Sequence, residues 1–260
     1  MTEDPTSTLT EWEIAEVQRA NESGLTPVTF VHGLWLLSSS WQNWRDVFEA
    51  SGYTTIAPGW PDDPATLPEA YENPDVFAHK MVQQVTDHYL EAISRLMKKP
   101  AVIGHSFGGL ISLKIAGEGA SFATVSIDNA PFKGVLPLPL SALKSSAPVL
   151  GNPTNRGKAI SLTFEQFKFG WTNNLDDVEA RHLYETFHVP ASGAPIFQAA
   201  VANFQPVRRG DQGQHRESRP GTRSHHRRRE RQHRTHRHHP RHLQVPRQAQ
   251  RRRHRDRRRP

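Results

Sequence analysis

The segment Gly104-His105-Ser106-Phe107-Gly108-Gly109 has the residue types and spacing to do chemistry. It follows the apolar run Ala101-Val102-Ile103 and precedes Leu110-Ile111-Ser112-Leu113-Lys114-Ile115, so its serine falls between an expected strand and an expected helix. A G-x-S-x-G placed there reads as a nucleophile elbow. The turn is too tight for side chains on its flanks, and it lifts the serine hydroxyl above the sheet, where a base can take its proton. The following helix aims its first N–H groups at an oxyanion developing on the attacked carbonyl. The plainer reading of the same residues is a structural turn of small side chains. A second segment, His32-Gly33-Leu34-Trp35, closes an earlier apolar run. Alone it is an ordinary strand-to-loop turn; beside an elbow it supplies the other half of an oxyanion hole, with the backbone N–H groups of Leu34 and Phe107 as donors.

These groups need a scaffold, and the hydrophobic pattern describes one. Short β-branched or apolar runs at 28–31, 53–57, 101–103 and 122–127 predict buried strands, each bounded by Pro, Gly or polar residues. Helical patterns fill 40–51, 76–97 and 109–117, and a further short helix at 9–21 is closed by Ser23-Gly24. Strands alternating with helices predict an α/β fold, a parallel sheet covered on both faces. From 130 to 190 the rhythm stops. Pro, Leu and Ser give way to Phe164, Phe167, Phe169 and Trp171 among helical acids, which reads either as a lid above the strand ends or as an ordinary helical subdomain. A lid would shape an apolar acyl pocket together with Trp35.

Val31-His32-Gly33-Leu34-Trp35, Ala57-Pro58-Gly59-Trp60-Pro61 and Ile103-Gly104-His105-Ser106-Phe107-Gly108-Gly109 resemble the α/β-hydrolase superfamily, close to its bacterial esterase- and haloperoxidase-like members. The likeness spans about 28–204. It implies a mostly parallel sheet flanked by helices, beginning near the family's third strand, and a Ser106 that attacks small carboxylic esters through an acyl-enzyme. It implies no metal or organic cofactor. The family order is Ser, acid, His, with the last two on loops near the C-terminal edge. Asp128, which ends the 122–127 strand, stands where some hydrolases carry the acid. His79 and His88 on a surface-patterned helix, and His182 and His188 in the lid, read as solvated; His32 and His105 read as supports of the turns. The body therefore offers no general base, and a sheet lacking its last strands would leave 122–127 as an unpaired, aggregation-prone edge.

Composition explains where the missing partners should be. The chain has 260 residues and a formal charge of +7, which averages two unlike parts. Residues 208–260 hold 20 arginines, nine histidines and four acids but no lysine, for a charge of +16, while residues 1–207 have 13 basic and 22 acidic side chains, for −9. The domains are thus a hydrolase body, 1–207, and an Arg/His-rich tail too poor in apolar residues to fold. Such a tail can bind polyanions, nucleic acid included. Its lack of lysine and of aromatics fits instead a GC-rich gene read out of frame, since CGN codons are shifted GNC codons. Synonymous codons for 227–235 read one base later can give Ala-Gly-Glu-Arg-Asp-Asn-Thr-Val, preceded by two isoleucines from His225-His226. That resembles the family's acid-bearing strand and loop. Zero cysteines exclude disulfides and thiolate chemistry, the acidic N-terminus does not read as a signal peptide, and no apolar run reaches membrane-spanning length, so the sequence predicts a cytoplasmic protein.

Overall fold

The computed structural model describes residues 7–131 and 140–202. The tail assigned to 208–260, with the proposed frameshift after Phe204, lies outside the described residues, as do 132–139 of the block over 130–190.

Helix α1 (Glu11–Ser23) starts at Thr10, whose side chain caps Glu13 N–H while the Glu13 carboxylate takes Thr10 N–H, and it ends on Gly24 in the left-handed conformation. Strand β1 (Thr26–Val31) follows, then α2 (Gln42–Ala50), β2 (Tyr53–Ile56), α3 (Leu67–Glu72) and α4 (Val82–Ser94). The elbow region supplies β3 (Ala101–His105) and α5 (Phe107–Gly117), and β4 (Ala123–Ile127) completes the sheet. All four strands are parallel in the order β2-β1-β3-β4. The predicted α/β class and all four strands are present, with boundaries moved by a few residues. The single helix expected over 76–97 is shorter: a 3-10 turn at Pro74–Phe77 precedes α4, and His79 sits between them with a positive φ of 61°.

The sheet is buried through its centre. Phe30, Val31, Ile56 and Val102 are fully enclosed, as are Ile111 and Ile115 on α5. A parallel sheet with helices on both faces has little room for polar side chains in its inner strands, which is why these strands read as continuous apolar runs.

The two sheet edges are closed differently. At β2, side chains of α1 take the place of a neighbouring strand. Arg19 donates to Thr55 O at 2.6 Å, Glu16 accepts Ala57 N–H at 3.0 Å, and Glu13 accepts Gly59 N–H at 2.9 Å. Residues 55, 57 and 59 point their backbone groups outward, and residues 19, 16 and 13 lie one helical turn apart on one face. At β4 no strand pairs with the outer edge among the described residues, and Val125 is 49 % exposed.

The block over 130–190 is helical and packs on the body. It contains α6 (Leu140–Leu150), α7 (Phe164–Trp171) and α8 (Asp177–Phe187), and a two-stranded antiparallel pair of β5 (Ala159–Ile160) and β6 (Ala191–Ser192) that leads into α9 (Ala194–Val201). Trp35 ties it to the first strand loop: its Nε1 donates to Ile160 O at 2.9 Å, its carbonyl accepts Val189 N–H at 3.1 Å, and its ring lies edge-on to Trp171 at 5.0 Å.

Candidate active site

Ser106 is the hinge between β3 and α5. Its backbone sits at φ 57°, ψ −122°, a conformation that L-residues adopt only when the surroundings impose it. The surroundings are visible. Ser106 N–H donates to Ile127 O at 3.0 Å, and Ser106 O accepts Leu110 N–H at 3.2 Å and Ala130 N–H at 2.9 Å. The glycines of the motif are required by contact. A Cβ on Gly104 would lie 2.1 Å from Gly108 O, and one on Gly108 would lie 2.1 Å from Val31 O, so the start of α5 is pressed directly onto β1 and β3.

The two turns meet. A Cβ built on Gly33 would lie 3.0 Å from Ser106 Cβ and 3.4 Å from its Oγ, so the loop after β1 runs beside the serine. Leu34 and Trp35 are buried at 4 % exposure each. Among the described residues the Leu34 N–H has no hydrogen-bond acceptor. Phe107 is the first residue of α5, where an N–H has no acceptor within its own helix. Neither N–H expected as an oxyanion donor is thus taken by a backbone acceptor among the described residues.

Asp128 follows the residue paired with His105 across β3 and β4, which brings it to the rim of the sheet beside the elbow; it is exposed and has a positive φ of 42°. Its charge reaches His105. Burial lowers the His105 imidazole below the usual histidine range, and the Asp128 carboxylate pulls in the opposite direction.

The other histidines differ from the sequence expectation in two cases. His88 is buried on α4, its Nε2 3.0 Å from Glu13 Oε1 and its Nδ1 2.9 Å from Thr8 Oγ1. His188 is buried at the end of α8, where Nε2 accepts Leu162 N–H at 3.1 Å and the ring stacks on Tyr184 at 4.7 Å. Both are enclosed rather than solvated, because each completes a hydrogen-bond set that helix periodicity cannot reveal. His79 and His182 are exposed. No group of three metal-ligating side chains converges among the described residues.

Trp35 borders a recess of about 10 Å³, and its indole donates to Ile160 O. A larger cavity of about 200 Å³ opens against the same loop, lined by Gly33, Leu36, Trp41, Trp44, His105 and Ile127. Sequence reasoning missed this space. Trp41 and Trp44 carried the signal, an aromatic pair just after the oxyanion loop, with ring centres 5.8 Å apart.

Residues 30–256 match the family model described as the Alpha/beta hydrolase family. The chain belongs to that family. The match takes in the end of β1, strands β2 to β4, the Ser106 turn, the 130–190 block and most of the Arg/His-rich segment. Solved structures similar to this hydrolase include an extracellular α/β-hydrolase from a Paenibacillus species, at 20 % identity and TM-score 0.46, covering 65 % of this chain and 68 % of that one. A monoacylglycerol lipase from Paleococcus ferrophilus is 21 % identical at TM-score 0.44, covering 66 % and 65 %. A carboxylesterase structure from Nitrososphaera gargenis is 17 % identical at TM-score 0.46, covering 71 % and 66 %. No curated protein matches the hydrolase. Among the described residues no helix is long and apolar enough to cross a membrane.

Proposed function

We propose that this hydrolase cleaves small carboxylic esters through an acyl-enzyme formed on Ser106. The observation that carries the reading is the strained Ser106 backbone at the β3–α5 junction with Gly33 packed against its side chain. Strain of this kind costs stability and persists where it positions a reacting group. In the proposed cycle Ser106 Oγ attacks the ester carbonyl while its proton passes to solvent water, which returns a proton to the departing alkoxide, and the Leu34 and Phe107 N–H groups stabilise the oxyanion. The tetrahedral intermediate then expels the alcohol, and water releases the acid.

Asp128 is the proposed acid. A general base is the weak point, because His32, His88 and His188 are held by other partners and His105 is half-buried in its turn. Turnover is therefore impaired, since losing one triad member leaves only what the oxyanion hole and binding supply. We place the protein in the cytoplasm, a reading supported by its lack of cysteine.

A fluorophosphonate probe tests the assignment. The full chain should be labelled on Ser106 and the Ser106→Ala variant spared; equal labelling of both removes the serine from the mechanism. A second reading, favoured by the +16 charge of residues 208–260, is an inactive hydrolase body carrying a polyanion-binding tail.

A further inference from the structure

Behind the oxyanion loop lies a buried ion pair that the proposed chemistry does not use. Lys80 Nζ is 2.7 Å from Asp63 Oδ1, and both side chains are 4 % exposed. The other carboxylate oxygen, Oδ2, accepts Trp60 N–H at 3.1 Å and stands 3.4 Å from His32 Nε2. From this hub two side chains reach the loop after β1. Trp60 Nε1 donates to His32 O at 3.2 Å, and His32 Nδ1 lies 2.9 Å from Gly33 O. A carbonyl only accepts, so Nδ1 carries the proton.

Two consecutive peptides are thereby fixed by side chains. The second of them is the Gly33–Leu34 peptide, whose N–H is the proposed oxyanion donor. In a trans peptide the C=O and N–H point in opposite directions, so pinning Gly33 O to the imidazole sets the direction of Leu34 N–H. No regular secondary structure holds this loop, which leaves β1 at Val31.

A buried ion pair is a poor device for stability alone, because desolvation offsets its attraction and a well-packed apolar pair serves as well. It is a good device for direction. We propose that the Lys80–Asp63 pair is a positioning element for the oxyanion hole: Asp63 holds the Trp60 main chain, the Trp60 indole holds His32 O, and the His32 ring so placed fixes the Gly33–Leu34 peptide and with it the Leu34 N–H. The proposal rests on the reading of Ser106 as nucleophile.

The test compares the full chain with Asp63→Asn, Lys80→Met and Lys80→Arg, reading the rate of fluorophosphonate labelling at Ser106 alongside the melting temperature. Folded Asp63→Asn and Lys80→Met should label at least about tenfold more slowly, a partial loss of one oxyanion donor. Lys80→Arg should recover most of the rate, since it keeps the charge beside Asp63. Rates within twofold of wild type in folded Asp63→Asn or Lys80→Met overturn the proposal and leave the nucleophile standing. A wild type unlabelled at Ser106 overturns the nucleophile and the proposal with it. Should Asp63→Asn not fold, the lysine variants decide, together with histidine ¹⁵N NMR of the wild type. His32 Nδ1 should carry a proton, and an unprotonated Nδ1 overturns the proposal in any case.

Discussion

The Glu13 carboxylate accepts the backbone N–H of Gly59 at 2.9 Å, across the open edge of the sheet. The same side chain caps its own helix through Thr10 N–H and meets His88 Nε2 at 3.0 Å. One buried carboxylate thus joins α1, the loop after β2 and α4. Its neighbours on the helix face, Glu16 and Arg19, continue the edge closure, and Glu16 also pairs with Arg45.

Replacing Glu13 by alanine strands three groups at once: Gly59 N–H, Thr10 N–H and the His88 ring. An unsatisfied buried polar group costs about 1–3 kcal/mol, so Glu13→Ala should destabilise the body by about 3 kcal/mol or more. Thermal unfolding followed by circular dichroism measures it. Glu22→Ala, exposed on the same helix, should change the midpoint very little. Equal midpoints for wild type and Glu13→Ala would remove α1 as the closure of this edge.

Gly108→Ala places a methyl 2.1 Å from Val31 O, which is main chain and cannot swing aside. Relief requires α5 to move off β1, and with it the Ser106 turn. The expected result is a folding defect of several kcal/mol, read as loss of soluble protein or of the cooperative transition. Alanine at Gly117, which has open space around it, serves as the control and should be tolerated.

How the strands and the elbow could be read from residues, and the two edges could not, follows from the range of the forces involved. The runs at 28–31 and 101–103 are buried on both faces and announce themselves by composition. Gly104 and Gly108 show in the sequence because only glycine fits a contact of 2.1 Å. By contrast, Glu13 and His88 are 75 residues apart, and each looks like a surface residue until α1 and α4 are brought together. Asp63 and Lys80 were hidden in the same way, as charges whose partners lie on other loops. The 130–190 block was legible as a break in rhythm, while its β5–β6 pair, two residues per strand, is too short to leave a pattern.

His188 makes stability depend on pH. Burial, which penalises the charged imidazolium, lowers its pKa from the usual 6.5 to about 4. The unfolded chain therefore binds a proton between these values that the folded chain refuses. Stability is fully present above about pH 6.5, falls as the pH drops toward 4, and levels off below it; the loss is at most about 3 kcal/mol. Urea midpoints at pH 7 and pH 4.5, compared with those of His188→Gln, isolate the contribution. The variant should show a smaller drop across that interval, and an identical drop would assign the pH dependence to other groups.

The tail gives the prediction that separates the two functional readings. Residues 208–260 carry +16 against a body of −9, so the full chain should bind duplex DNA or heparin through charge alone. Each neutralised phosphate contributes about −0.9 to the slope of log K against log salt, which makes such binding steep and independent of sequence. A chain ending at Val207 keeps every strand and helix described above. It should lose polyanion binding while retaining fluorophosphonate labelling at Ser106. Labelling that persists without the tail assigns the chemistry to the body, and binding that persists without it would place the basic surface elsewhere. Resequencing the gene around the Phe204 codon addresses the origin of the segment: a shifted frame that adds an Asp and a His would supply an acid and a base in the order the family places them after its nucleophile. A frame confirmed as written would instead make the 20 arginines a real feature of the protein.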